Sequence, residues 1–176
     1  MDLFDYMREQ NMEKEAPLAS RLRPTTLEEV VGQQHIIGKD KLLYRAIKAD
    51  KLSSVIFYGP PGTGKTTLAK VIANTTSAEF TQINATTAGK KDMEEVINKA
   101  KEMQGMYRKK TILFVDEIHR LNRQVEEVLY PAMEDFAIDI IVGKGPSANS
   151  IRLDLPHFTL IGATTRAGQL SSPLRD

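Results

Sequence analysis

Short runs of β-branched and aromatic residues alternate along this chain with longer segments in which apolar residues recur every three or four positions. The short runs are typical of buried strands, and the longer spacing is typical of amphipathic helices. The pattern predicts strands at 54–58, 79–84, 111–115 and 158–162, and helices at 39–50, around 68–72, at 89–104 and at 125–133. Because strands and helices alternate, it favours an α/β sandwich around a parallel central sheet.

Each predicted helix has one apolar face. The residues expected to face the core are Leu42, Leu43, Ala46 and Ile47, then Leu68, Val71 and Ile72, then Met93, Val96, Ile97, Ala100 and Met103, and finally Val125, Val128, Leu129 and Met133. The two methionines are interpreted as core residues, because flexible thioether side chains fill irregular gaps. Pro131 should disturb the last helix, since proline has no amide hydrogen to donate to the preceding turn.

Two further apolar runs interrupt the alternation of strands and helices. Residues 138–142 and 150–155 alternate apolar and polar positions, and the Gly/Pro-rich segment 143–147 lies between them. This pattern predicts a β-hairpin. Its apolar positions are Ile140, Val142, Ile151 and Leu153. The alternative to a partner-binding hairpin is a solvated hairpin that only covers a sheet edge. The four apolar residues would be rather exposed in such a hairpin, which speaks against this alternative.

A glycine-rich loop follows the first predicted strand. It reads Gly59-Pro60-Pro61-Gly62-Thr63-Gly64-Lys65-Thr66, with Thr67 next, and it leads into a helix. Backbone N–H groups and the positive end of the helix dipole converge there on an anion, and glycines let the backbone approach closely. Lys65 can reach the β- and γ-phosphates of a nucleotide, and the Thr66 hydroxyl can ligate Mg²⁺. The alternative interpretation is an ordinary Gly/Pro-rich turn between two core elements. The predicted strand before the loop and the predicted helix after it favour the phosphate loop instead.

Two adjacent carboxylates, Asp116 and Glu117, end the apolar run Thr111-Ile112-Leu113-Phe114-Val115. In a parallel sheet this strand end faces the same crevice as the phosphate loop. Asp116 is then placed to hold Mg²⁺, and Glu117 to polarise a water molecule for attack on the γ-phosphate. The alternative, a helix-capping Asp followed by a first-turn Glu, loses weight beside the upstream loop. His119 is expected to lie behind this site or at the surface.

Composition sets limits on the class of protein. The chain has 176 residues, 41% apolar and 27% charged, which suits one globular domain. We expect no membrane segment and no signal peptide, and the lack of cysteine excludes disulfides and fits a cytoplasmic protein. A net charge of +1 is not the basic footprint of a protein that grips nucleic acid with its main surface. DNA contacts would therefore use a local patch, other subunits or further sequence.

Taken together, these motifs resemble the AAA+ ATPase core. The residues that carry the resemblance are the phosphate loop, Ile112 to Glu117, Gly162-Ala163-Thr164-Thr165, Leu22-Arg23-Pro24 and Val31-Gly32-Gln33. Residues 1–120, notably 17–24 and 57–61, resemble the clamp-loader relative RarA/MgsA. Residues 121–176, especially 125–135, resemble RuvB, the motor of Holliday-junction branch migration. The two patterns meet at 116–120, which fits a natural or engineered chimera.

The resemblance implies a P-loop NTPase with an αβα sandwich and a hairpin inserted before the sensor-1 strand. It implies that Lys65, Thr66 and the rest of the loop bind ATP and Mg²⁺, with Asp116 serving the metal. It further implies that Glu117 activates the attacking water, that Thr165 senses the γ-phosphate, and that Leu22 and Arg23 lie against the adenine. In RuvB-like motors the hairpin docks onto RuvA, so residues 138–155 would bind a RuvA-like partner through the four apolar positions named above.

Relative to that family, the sequence is expected to be an ATPase-core fragment. Residues 1–17 are expected to form a flexible arm and 18–176 a partial core. The fifth core strand, the helical lid and the trans-acting arginine finger would fall beyond Asp176. The strand at 54–58 would then keep an unpaired edge, and both ring assembly and ATP turnover would be weak.

The sequence therefore predicts the ATP-binding core of an AAA+ motor for DNA recombination, repair and replication-fork rescue. Its ligands would be ATP or ADP, and branched or forked DNA would be bound by a ring of the full-length parent. A DExH-type helicase would need a second RecA-like domain, and a P-loop kinase would need a lid for its acceptor substrate. The alternative that stays open is a nucleotide-dependent interaction module that holds ATP without efficient hydrolysis.

Overall fold

The computed structural model describes residues 17–142 and 149–175 of the chain. In chain order the helices are α1 Leu18–Arg21, α2 Gln34–Ile37, α3 Leu42–Lys48, α4 Lys65–Thr75, α5 Lys90–Tyr107, α6 Arg123–Glu134 and α7 Ser172–Arg175. The strands are β1 Val55–Tyr58, β2 Glu79–Asn84, β3 Thr111–Asp116, β4 Ala137–Val142, β5 Asn149–Asp154 and β6 Phe158–Thr164, and single 3₁₀ turns span Ile118–Arg120 and Ala167–Gln169. The predicted strands and main helices are thus confirmed, whereas the arm expected over residues 1–17 lies, except for Pro17, outside the described residues.

Four strands form one parallel sheet in the order β1-β6-β3-β2. Tyr58 pairs with Thr164, and Asn84 pairs with Asp116, so the strands end almost level with one another. Because parallel strands bring their carboxyl ends to one edge, the residues that follow β1, β3 and β6 meet there. This edge carries the phosphate loop, Glu117 and Thr165.

Apolar side chains fill both faces of the sheet. On one face α4 contributes Leu68, Val71 and Ile72 to a buried cluster that includes Phe114 and Ile161 of the sheet. On the other face a second cluster joins α5 and α6 to the sheet, and its members include Met93, Val96, Leu113, Val115, Val125, Leu129 and Leu160. Helices therefore cover both faces, and the predicted α/β P-loop architecture is confirmed.

Two details of the predicted helices differ in the structure. Leu42 was assigned to the buried face of the helix at 39–50, but its side chain is 77% exposed because α3 begins only at this residue and buries Ile47 instead. Pro131 lies inside α6, which continues to Glu134. Asn122 caps the start of the helix, because its side chain accepts a hydrogen bond from the Val125 N–H at 2.9 Å. The buried face of α6 outweighs the one donor lost at proline.

Strands β4 and β5 form a separate antiparallel pair, with Ile138 opposite Leu153 and Ile140 opposite Ile151. The predicted hairpin strands are therefore confirmed, while their turn at 143–148 lies outside the described residues. At the base of the pair, Ile138 is buried with Ile97 of α5, and Leu153 packs partly against the same cluster. The hairpin is thereby fixed to the helical layer formed by α5 and α6.

Strand β1 lies at the edge of the sheet. It pairs with β6 on one side, and among the described residues no strand pairs with its other side. Tyr58 at its end is 68% exposed. The part of the chain that the structure describes also contains no helix with the length and apolar character needed to cross a membrane.

Candidate nucleotide-binding site

The glycine-rich loop connects β1 to the first turn of α4. Gly62 and Gly64 adopt φ angles of +79° and +82°, a left-handed conformation that side chains with a Cβ rarely adopt. Gly64 is also the residue that precedes the helix, so the free N–H groups of the first turn of α4 begin directly after the loop. The local sequence therefore builds an anion-binding helix start.

Lys65 is held against the backbone of its own loop. Its Nζ donates hydrogen bonds to the carbonyl oxygens of Gly59 and Pro60, both at 2.8 Å. The Thr63 hydroxyl also donates to the Pro60 carbonyl, at 2.9 Å. The ammonium group is thus held by the carbonyls of Gly59 and Pro60, the second of which also accepts from Thr63.

Asp116 ends β3, and Glu117 follows in a left-handed conformation with φ 52°. The Glu117 N–H donates to the Asp116 carboxylate at 3.1 Å. The Glu117 side chain is 32% exposed, and its Oε2 lies 3.9 Å from Arg120 Nε. The unusual backbone geometry turns the chain sharply at the sheet edge, so two successive carboxylates remain at the strand end.

His119 was expected behind the site or at the surface, and the surface alternative is wrong. The side chain is 2% exposed, with Nε2 3.5 Å from Glu117 Oε2. Its Nδ1 lies 2.8 Å from the hydroxyl oxygen of Thr164, at the end of β6. The burial of His119 could have been predicted from its position two residues after Glu117. The tight turn there folds the imidazole ring back toward the end of the neighbouring strand.

These elements enclose the phosphate half of an open cleft, with a volume of about 540 Å³. The residues that line it are Arg23, Pro61, Gly62, Gly64, Lys65, Thr66, Thr67, Lys70, Gln82, Asp116, Glu117 and Thr165. The structure therefore brings together the predicted phosphate-binding, metal-binding and catalytic residues in one place. Lys70 and Gln82 were not predicted, because neither belongs to a recognisable motif.

The other half of the cleft is largely apolar, has a volume of about 950 Å³ and shares Gly62, Gly64, Lys65 and Thr67 with the phosphate half. Its walls include Leu22, Val30, Val31, Ile36, Leu43 and Tyr58. Leu22 and Val31 are 72% and 95% exposed, so the apolar wall is open to solvent. An apolar surface that continues into an anion-binding loop suits a nucleotide. The base would lie on the apolar surface and the phosphates on the loop.

The predicted nucleotide-binding residues divide between these halves. Leu22 lines the apolar half, whereas its neighbour Arg23 lines the phosphate half, although both were expected against the adenine. Gly59 and Pro60 line neither half and instead position Lys65.

The carboxyl group of Glu29, at the apolar half, has its pKa lowered by hydrogen bonds from the backbone and hydroxyl of Thr25.

The phosphate half fits a divalent cation that is bound together with a nucleotide. Thr66 and Asp116 both line it and offer a hydroxyl and a carboxylate, the hard oxygen ligands that Mg²⁺ prefers. Within the described ranges, no group of three or more His, Cys, Asp or Glu side chains could hold a metal ion. The remaining ligands would therefore be phosphate oxygens and water, as is usual for Mg²⁺.

A parallel sheet with a phosphate loop after one strand and paired carboxylates after another defines a P-loop NTPase. The family model described as the Holliday junction DNA helicase RuvB P-loop domain matches residues 22–176. This chain belongs to that family and is an AAA+ ATPase similar to RuvB.

Solved structures agree with this assignment. The Thermotoga maritima RuvB Holliday junction branch migration motor is 39% identical, with a TM-score of 0.68 over 88% of this chain and 45% of that chain. Two mutants of Thermotoga maritima RuvB are each 40% identical, with TM-scores of 0.70 and 0.69 over 88% of this chain and 46% of theirs. The chain thus spans about half the length of these RuvB structures. The matched range crosses residue 120, and these comparisons do not show the predicted RarA/MgsA resemblance of the first part.

Proposed function

We propose that residues 18–176 form the ATP-binding and ATP-hydrolysing core of a RuvB-like motor that works in DNA recombination, repair and replication-fork rescue. The observation that carries the proposal is the meeting of Lys65, Thr66, Asp116, Glu117 and Thr165 along one cleft at the sheet edge. Few reactions other than nucleotide hydrolysis use all of these side chains at once.

In this proposal the adenine lies in the apolar half against Leu22, and the phosphates lie over the loop and the start of α4. The Lys65 ammonium leaves the carbonyls of Gly59 and Pro60 and binds the β- and γ-phosphates, exchanging neutral acceptors for charged ones. Thr66 and Asp116 would hold Mg²⁺, which would neutralise charge on the phosphate oxygens.

Glu117 accepts a proton from the attacking water as the new bond to the γ-phosphorus forms and the bond to the bridging oxygen breaks. Thr165, directly after β6 and therefore beside the strand that leads into the phosphate loop, donates to the γ-phosphate and reports whether it is present. Both side chains line the phosphate half, as these roles require.

The test replaces Glu117 with Gln in a full-length protein that contains this chain. We expect ATP affinity by calorimetry to stay within about threefold, and hydrolysis to fall at least about 100-fold, because general-base catalysis contributes 10²–10⁴ in rate. Glu127→Gln, an exposed change on α6, is the control and should hydrolyse ATP normally. Undiminished hydrolysis by Glu117→Gln would remove Glu117 from the mechanism.

The wider activity is proposed from the family. A ring of the full-length parent would act on four-way junctions or stalled forks, and a RuvA-like partner would bind the hairpin at 138–155. The related motor from Thermotoga maritima is described as a Holliday junction branch migration motor. We further propose that the protein works in the cytoplasm.

We also propose that the 176-residue polypeptide alone binds ATP but hydrolyses it slowly, as the interaction-module alternative would. The exposed apolar wall at Leu22 and Val31 leaves water free to enter the cleft.

In AAA+ rings a neighbouring subunit adds an arginine, and arginines supplied in this way are worth about 10³–10⁵ in rate. That range corresponds to roughly 4–7 kcal/mol of barrier. The measurement compares steady-state turnover of the 176-residue polypeptide with that of the full-length ring at saturating ATP. Equal rates per site would show that the polypeptide is a complete enzyme.

A further inference from the structure

The imidazole of His119 lies between two functional elements of the cleft. On one side its Nδ1 is 2.8 Å from the Thr164 hydroxyl oxygen, one residue before Thr165. On the other side its Nε2 is 3.5 Å from the Glu117 carboxylate, and the side chain is 2% exposed. A polar ring held this deeply needs partners for both nitrogens.

The contacts of Thr164 decide which nitrogen carries the proton. The Thr164 hydroxyl oxygen already accepts a hydrogen bond from the Arg166 N–H at 3.0 Å, and Thr164 is only 1% exposed. Its own hydrogen is therefore available for His119 Nδ1, which accepts it. A proton on Nδ1 would instead leave the buried hydroxyl hydrogen without this acceptor and turn the Nε2 lone pair toward a carboxylate.

With Nδ1 as acceptor, the neutral ring carries its proton on Nε2. That nitrogen is buried and makes no hydrogen bond in the structure, and the carboxylate of Glu117 is the acceptor at 3.5 Å. A small movement of the partly exposed Glu117 side chain closes this separation to hydrogen-bond distance. Contacts of catalytic groups are often long in nucleotide-free structures and shorten in the reacting complex.

We propose that His119 is a positioning residue that aims the Glu117 carboxylate at the attacking water and links it to the end of β6. Thr164 also accepts a hydrogen bond through its carbonyl oxygen from the Gly59 N–H at 3.2 Å. The same residue thus contacts the first glycine of the phosphate loop and, through His119, the catalytic carboxylate. The proposed linkage therefore joins both elements to the end of β6.

The inference rests on the proposed role of Glu117 as general base, and its first test does not depend on activity. The 19.7 kDa chain has three histidines, and the other two, His35 and His157, are exposed. Nitrogen-15 NMR of the imidazole rings should show His119 as the neutral tautomer with hydrogen on Nε2. A ring that carries hydrogen on Nδ1, whether neutral or doubly protonated, overturns the proposal.

The second test measures ATP affinity and single-turnover hydrolysis in a full-length protein that contains this chain. His119→Phe keeps the ring shape without the donor, and we expect it to lower the hydrolysis rate about 10- to 100-fold with ATP affinity unchanged. His119→Gln places an amide donor near the position of Nε2 and should recover most of the lost rate. His157→Phe is the matched control and should have no effect.

Thr164→Val removes the hydroxyl that fixes the tautomer and should lower the rate in the same way. Combined with His119→Phe it should add little further loss, since both changes break one linkage. If His119→Phe hydrolyses as fast as wild type while Glu117→Gln does not, the positioning role is overturned and the general base stands. If Glu117→Gln is fully active, the proposed function fails first.

Discussion

Gly162 of β6 and Ile118 are packed so closely that a side chain at position 162 would force the Ile118 side chain to shift. A Cβ built on Gly162 would lie 2.7 Å from Ile118 Cδ1 and 3.3 Å from Ile118 Cγ2. Ile118 is fully buried and lies between Glu117 and His119 in sequence. The packing of one glycine against one isoleucine therefore contributes to the position of the turn that contains Glu117.

We expect Gly162→Ala to lower the free energy of unfolding by about 1–3 kcal/mol, because overpacking a rigid core forces its neighbours to move. Gly105→Ala is the control, since Gly105 lies within α5 with nothing within 4 Å of its Cβ position. That change should instead stabilise the protein by roughly 0.5–1 kcal/mol. Urea unfolding of both variants measures the difference, and a Gly162→Ala protein as stable as wild type would contradict the steric argument.

The parts of the fold and site that sequence could predict are those encoded over short distances. The phosphate loop is one unbroken segment, and the turn from β1 into α4 follows from its glycines and the apolar runs beside it. Asp116 and Glu117 were located by the end of an apolar strand, a purely local signal. Strand alternation then sufficed to bring both segments to one sheet edge.

What sequence could not predict depends on contacts between distant segments. The contact between His119 and Thr164 joins residues 45 positions apart. The periodicity of apolar residues along the sequence carries no information about such a contact. The placement of Arg23 in the phosphate half follows from the path of the chain before α2 rather than from its neighbour Leu22. Leu42 fits an apolar helical face, yet the starting point of α3 leaves it exposed.

Lys65→Ala should abolish Mg·ATP binding in calorimetry, with an affinity loss of at least about 100-fold, on the order of 2.7 kcal/mol. The variant removes the cation that the loop holds at Gly59 and Pro60. Lys70→Ala is the comparison: its Nζ lies over the Phe80 ring, 5.9 Å from the centroid, so its contribution should be several times smaller. Equal ATP affinity for wild type and Lys65→Ala would refute the phosphate-loop assignment.

Asp116→Asn should weaken the dependence of ATP binding on Mg²⁺ more than it weakens binding itself. An amide oxygen is a neutral and poorer ligand for a hard cation than a carboxylate, and the backbone at the end of β3 is unchanged. Titrating ATP at several Mg²⁺ concentrations gives the shift in the Mg²⁺ midpoint. Asp135→Asn, an exposed change at the end of α6, serves as control, and an unshifted midpoint in Asp116→Asn would exclude Asp116 as a metal ligand.

Tyr130 of α6 ties the C-terminal segment to the core through a hydrogen bond with Ser171, whose hydroxyl also donates to Glu126 at 3.2 Å. Burial raises the pKa of the Tyr130 phenol. The stability associated with its neutral form is therefore fully present below the ordinary tyrosine pKa of about 10 and is lost as the pH rises through the folded-state value.

Tyr130→Phe should cost about 0.5–1.5 kcal/mol of unfolding free energy at pH 7, the usual net value of one hydrogen bond. Above pH 10 its stability should also fall less steeply than that of wild type, because the titrating group is gone. Tyr107→Phe, at a 62% exposed position, should leave both the stability and its pH dependence unchanged. Parallel pH profiles for wild type and Tyr130→Phe would show that the phenol does not titrate with folding.

The hairpin combines an anchored base with apolar positions nearer its turn. Ile138 is buried and Leu153 packs partly against the same cluster, so this pair belongs to the protein's own core. Ile140 and Ile151 pair one step closer to the turn, and they are in phase with Ile138 and Leu153 in the two-residue alternation of the sequence. Leu153 is thus a poor site for testing partner binding, because changing it would also disturb folding.

Replacing both Ile140 and Ile151 with Asp should break binding to RuvA while ATP affinity stays at the wild-type value, since interface energy concentrates in a few apolar anchors. The matched control replaces Ile141 and Ser150 with Asp, because these residues also pair across the hairpin but are out of phase with Ile140 and Ile151 in the alternation of the sequence. It adds the same two charges one residue pair nearer the turn and should leave RuvA binding intact. Calorimetry with purified RuvA measures both variants. An equal loss of RuvA affinity in both variants would indicate a general effect of charge or folding. If the wild-type chain did not bind RuvA at all, the hairpin would be a solvated hairpin that only covers a sheet edge.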